Sequence, residues 1–121
     1  MKPISITVII LAMAIMTFQG CKGAYEGALA DAARVGDVKE VEKYIAKGAD
    51  VNAQWFGRTP IQVASEEGKT EVIDLLLAKG ADINAKSKFD KTALDFAEKK
   101  GDKKIIDLLK SKGAKRASEL K

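Results

Sequence analysis

The chain has no histidine, a single cysteine and only two prolines in 121 residues. Without histidine, the commonest general base and a common metal ligand are both missing. One cysteine leaves no internal disulfide to form. Aromatic residues make up 6% of the chain, so the core has to be built from aliphatic side chains. None of the glycines forms a phosphate-binding loop, and no nucleic-acid reading motif accompanies the net charge of +4. These absences argue against an enzyme, a resident metal or cofactor, and a nucleic-acid partner.

What is present is concentrated in Gly57–Asp82. Thr59 is placed to cap a helix, Gln62 completes a capping box three residues on, and Pro60 falls at the first helical position. Gly68 can end that helix and Gly80 the next, with Lys79 at the negative end of the second dipole. Ile61, Val63 and Ala64 give the first helix an apolar side. Val72, Ile73, Leu75, Leu76 and Leu77 make the second apolar nearly all round, which requires neighbours on several sides. A hairpin this short cannot bury itself alone, so the unit should recur.

It does. Thr59, Ala64, Gly68, Ile73, Leu76 and Gly80 reappear as Thr92, Ala97, Gly101, Ile106, Leu109 and Gly113. Ala64, Gly68, Ile73 and Gly80 are preceded by Ala32, Gly36, Val41 and Gly48. The joins repeat too, with Ala49-Asp50-Val51-Asn52-Ala53 matched by Ala81-Asp82-Ile83-Asn84-Ala85. A period of about thirty-three with two helices per unit resembles the ankyrin repeat. Residues Gly57–Gly80 are similar to that family's Gly-x-Thr-Pro-Leu-His-x-Ala pattern, and the Leu-Leu-Leu-x-x-Gly-Ala-Asp-x-Asn ending follows. The resemblance covers Gly27 to Gly113. It implies an all-α solenoid of about three helix-turn-helix units joined by projecting turns, divided near 27–53, 54–85 and 86–113. The chain departs at the family's histidine, which is Gln62 here and Asp95 in the last unit. That leaves the hydrogen bonding of this corner open.

Ahead of the repeats, Met1-Lys2 is a short positive start, and Ile4 to Phe18 is apolar and uncharged. The run is shorter than the roughly twenty residues of a membrane-spanning helix and suits a secretory leader over 1–20. Phe18-Gln19-Gly20-Cys21 resembles a bacterial lipobox, which makes Cys21 the expected acyl acceptor; the alternative is an ordinary secretory leader with an uninvolved cysteine. Lys22 in the next position resembles an outer-membrane address. The expected location is therefore the periplasmic face of a Gram-negative outer membrane, with residues 21–26 as a short linker.

The end units differ from the middle one in opposite senses. Val72 and Leu75 correspond to Glu40 and Lys43 in the first unit, while Ser65 and Leu77 become Glu98 and Lys110 in the last. Polar residues on opposite faces of opposite ends are what terminal caps of a stacked array require. A complete, monomeric array of three units is expected. Residues 114–121 show no apolar periodicity and read as a frayed basic tail, which either meets an anionic partner or is simply solvated.

The Asp50/Asn52 and Asp82/Asn84 pairs recur at the joins, which favours turn-forming roles over metal binding. Glu66 and Glu67 are adjacent and do not face each other. Binding fits better. The resemblance implies finger-like turns at Gln54–Arg58 and Lys86–Lys91 beside a concave face made by the first helices. Trp55, Phe56, Arg58 and Phe89 are expected to line one edge of a protein-binding surface, with Glu66 and Lys99 further in. Phe56 and Phe89 could instead fold back on their own repeats; Trp55, with no counterpart elsewhere, is the stronger candidate anchor. Two functions fit: a lipid-anchored adaptor, or an immunity protein that neutralises a toxin delivered to the periplasm, such as a phospholipase effector. In both the partner is another protein and the membrane is met only through Cys21.

Overall fold

The structure, a computed structural model, describes residues 22–120. Six helices follow one another in pairs: α1 (Lys22–Val35) with α2 (Val38–Ala46), α3 (Pro60–Glu67) with α4 (Thr70–Ala78), and α5 (Ala93–Lys100) with α6 (Lys103–Ser111). A short 3-10 turn, Ala117–Glu119, closes the described chain. Helix α1 reaches back to Lys22, so residues expected to be a linker are helical. The leader and Cys21 lie outside the described residues.

Local chemistry sets several helix boundaries, although the Thr59 hydroxyl expected to cap α3 is without a partner among the described residues and only the Thr59 amide is met, by Gln62. Asp37 and Asp102 cap α2 and α6 by accepting from the amides of Glu40 and Ile105 at 3.1 and 3.3 Å. Gly68 ends α3 at φ 73°, a left-handed conformation that costs a glycine little.

The inner helices α1, α3 and α5 pack side by side, and each outer helix lies back against its own inner partner. Between the layers runs one aliphatic core, including Leu29, Ala33, Val41, Ile61, Ala64, Ile73, Leu76, Leu94, Ala97 and Leu109. The outer layer is looser. Val72, Ile73 and Leu76 of α4 are buried, but Leu75 and Leu77 are only half-buried, so α4 is less enclosed than its composition suggests. A lysine at Leu77 could carry its charge to solvent along its own stem, which makes that position more tolerant than a core site. Ile105, the counterpart of Val72, is buried, whereas Ile106, the counterpart of Ile73, is half-exposed.

Polar side chains stitch the units together. Asp50 and Asp82 accept from Asn52 N and Asn84 N at 2.9 Å, forming the expected turns. The asparagines do more than turn the chain. Asn52 Oδ1 accepts from Asp82 N at 2.7 Å, and Asn84 Oδ1 accepts from Lys115 N at 2.8 Å, one unit further on in each case.

The second of these bonds corrects the reading of the tail, which is tied to the repeats over residues 114–119. Ala114 is buried, Thr92 Oγ1 donates to Lys115 O at 2.6 Å, Ala117 N donates to Asp95 Oδ2 at 2.9 Å, and Arg116 pairs with Glu98 and Glu119. Burial pushes the Asp95 carboxyl up, but bonds from the amides of Thr92 and Ala117, the Thr92 hydroxyl and the charge of Lys91 outweigh it. The net shift is downward from 3.8. A depressed folded-state value stabilises the fold above the ordinary aspartate range and is lost as pH falls through the lowered value. The Ala117 amide is therefore expected to stay protected from solvent exchange at neutral pH and to lose protection below that range. Asp95→Ala should remove the protection at neutral pH as well. Protection that persists in Asp95→Ala would mean other contacts hold the tail.

Candidate protein-binding groove

Between repeats the chain makes two tight turns of different construction. Asn52 and Asn84 are thirty-two apart but Thr59 and Thr92 thirty-three, so the second turn holds one extra residue. In the first, Trp55 and Arg58 exchange both backbone bonds (2.8 and 3.2 Å) around Phe56 and Gly57, which have φ of 52° and 81°. Two successive positive φ values define a type I′ turn, in which glycine is at home and phenylalanine is not. In the second, Ser87 N donates to Lys91 O at 2.8 Å, Ser87 Oγ accepts from the amides of Phe89 and Lys91, and Asp90 takes the left-handed position (φ 58°). That is the three-residue form of the same hairpin.

The two turns are tied together. Lys88 N donates to Gly57 O at 2.8 Å, and Gln54 Nε2 donates to Lys86 O at 2.9 Å. Gln62 ties them to α3. Its side chain is fully buried; its Oε1 accepts from Thr59 N at 2.9 Å, and its Nε2 donates to Ala85 O at 2.8 Å and to Lys91 O at 3.4 Å. Glutamine thus closes the corner from both its amide atoms. In the last unit Asp95 can only accept, and it turns to Thr92 and the tail instead.

The fingers and the inner helices enclose a groove. Its N-terminal half is lined by Trp55, Phe56, Val63, Glu66 and Phe89 with Arg34 of α1, and its C-terminal half by Arg58, Phe89, Phe96 and Lys99 with Lys91. Arg58 stands between the halves. It is in ion contact with Glu66, and its guanidinium carbon lies 5.0 Å from the Phe96 ring centroid.

All six groove residues singled out from the sequence line this one surface, but their individual settings differ. Phe56 is 87% exposed and Phe89 56%, so neither folds back on its repeat. Trp55 packs against the preceding unit: a Cβ at Gly27 of α1 would come within 2.7 Å of its indole, and its ring meets Phe56 edge-on at 5.4 Å. Trp55 thus leans on the preceding unit while 37% of it stays exposed in the groove, and Phe56 is the more outward of the two. Val63, expected on the apolar core side of α3, faces the groove. Asp31, Val63 and Phe96 share one register position, as do Arg34, Glu66 and Lys99. Extending Glu66 and Lys99 along the repeat would have found the α1 wall; nothing local to Trp55 points to Gly27.

Among the described residues there is no cluster of His, Cys, Asp or Glu able to hold a metal ion. A family model described as ankyrin repeats, three copies, matches residues 29–118. The chain belongs to the ankyrin-repeat family, whose members typically act as protein-protein interaction modules. No curated protein matches it.

Proposed function

We propose that the protein is a lipid-tethered interaction module at the periplasmic face of a Gram-negative outer membrane, and that it holds its partner in the groove beneath the two fingers. Phe56 carries the binding part of this reading. A phenylalanine that is 87% exposed in a left-handed conformation lies outside the core and is disfavoured by the turn, with only its edge-on contact to Trp55 in return. A large exposed aromatic beside Arg58 at the edge of a groove is the kind of residue that anchors a protein partner. Support for the tether comes from Phe18-Gln19-Gly20-Cys21 and the apolar leader in front of it. More than one acyl chain on Cys21 would anchor stably, where a single chain binds with a constant of only about 10⁴ M⁻¹.

Two substitutions in intact cells test the two parts. Cys21→Ala should leave an uncleaved precursor and abolish incorporation of labelled palmitate; unchanged labelling overturns the tether. A photoreactive phenylalanine analogue at position 56 should trap a defined protein, whereas the same analogue at Asp107, exposed on outer helix α6, should not. Equal trapping at both positions overturns the groove. The trapped protein also sorts the roles: a delivered toxin makes the module an inhibitor, and a resident periplasmic protein makes it an adaptor.

A further inference from the structure

The groove is electrically lopsided. In its N-terminal half the charges are largely balanced: Arg34 pairs with Asp31 and Arg58 with Glu66, leaving the exposed Glu67 at the end of α3. In the C-terminal half one acid is held in an ion pair, and the other keeps its charge while it accepts from backbone amides. Glu98 is held by Arg116 at 2.8 Å, and Asp95 accepts from Thr92 and Ala117. Lys91 and Lys99 border the same cleft, both are exposed, and neither is in an ion pair among the described residues. Between them lie Phe96, buried as the floor, and the outward Phe89. The cleft has a volume of about 670 Å³, room for a large side chain together with its flanking backbone.

Resting on the reading that the groove binds a protein, we infer that its C-terminal half receives an acidic segment of the partner in which carboxylates flank an apolar side chain. The apolar group enters between Phe89 and Phe96, and the carboxylates meet Lys91 and Lys99. Lys99, and Lys91 with only the charge of Asp95 near it, leave the cleft net positive beside exposed aromatic surface, which favours an anion that also brings something to bury. A plain polyanion would leave the Phe89 face uncovered, and a basic segment would be repelled. Glu67 at the far end adds a direction, since a basic residue of the same segment is favoured there and disfavoured beside Lys99.

The test uses the full-length protein in detergent and three fluorescein-labelled peptides read by polarisation. One has glutamates flanking a central leucine-phenylalanine pair. The second has lysines in place of the glutamates, and the third keeps the glutamates but has serines in place of the central pair. The first should bind at least about tenfold more tightly than either of the others. Lys91→Gln combined with Lys99→Gln should weaken it by about tenfold or more. Lys103→Gln combined with Lys110→Gln, which changes net charge equally on α6, should leave it within about twofold. Equal binding of the acidic and basic peptides, equal binding of the serine peptide, no binding of any, or equal effects of the two double variants would each overturn the inference. The groove reading is judged separately by trapping at position 56. Trapping there without peptide discrimination removes the acidic partner and keeps the groove.

Discussion

Gln62→Leu is expected to destabilise the fold by about 2–4 kcal/mol, although it places an apolar side chain of similar length in a fully buried site. Burial alone would favour leucine. What decides the sign is the set of groups the amide serves, namely the Thr59 N–H and the carbonyls of Ala85 and Lys91. A buried donor or acceptor left without a partner costs about 1–3 kcal/mol, and leucine would orphan up to three, with water able to rescue the outer two in part. Against a typical domain stability of about 5–15 kcal/mol, the loss is large. Gln62→His, the residue of the family pattern, keeps a donor and an acceptor on a ring of similar reach and should stay within about 1 kcal/mol of wild type. Urea unfolding of the three proteins checks this. Amide exchange adds a local signature, because Lys88 and Lys91 of the second finger should open first in Gln62→Leu. If Gln62→Leu were as stable as wild type, the corner would not depend on these bonds.

Much of the fold is legible in the sequence because its signals are local and repeated. Thr59-Pro60, the glycines after each helix, and the aliphatic runs of α4 and α6 each constrain a few neighbouring residues, and the period multiplies them. The polar ends of the array are legible for the same reason, since Glu40 and Lys110 are read by comparison with Val72's and Leu77's positions in the middle unit. What escaped depends on contacts between residues far apart in the chain. The tail has no apolar pattern, and its order comes from Asn84, Thr92, Asp95 and Glu98, each of which had another local reading. Trp55 looks free beside its chain neighbours and is held by Gly27, one unit earlier. The concave face was expected, and Glu66 and Lys99 on it followed. Its charge asymmetry did not, because it depends on which acids Arg58, Arg116 and the tail have already engaged.

Phe56→Asn separates binding from folding. Phenylalanine in the left-handed region costs about 1–2 kcal/mol, and Asn-Gly is the favoured pair for a type I′ turn. Against this, losing the edge-on contact with Trp55 at 5.4 Å removes about 0.5–1.5 kcal/mol. The two nearly cancel, and the variant should melt within a few degrees of wild type. Binding has no such compensation. Truncating an aromatic anchor at an interface costs about 2 kcal/mol or more, close to thirtyfold in affinity. The decisive measurement is the affinity of Phe56→Asn for the protein trapped at position 56, taken with its melting temperature on the same preparation. An affinity lower by about thirtyfold or more at an unchanged melting temperature is the expected result. Unchanged affinity, or an affinity that falls only together with the melting temperature, would contradict a partner held in the groove by Phe56.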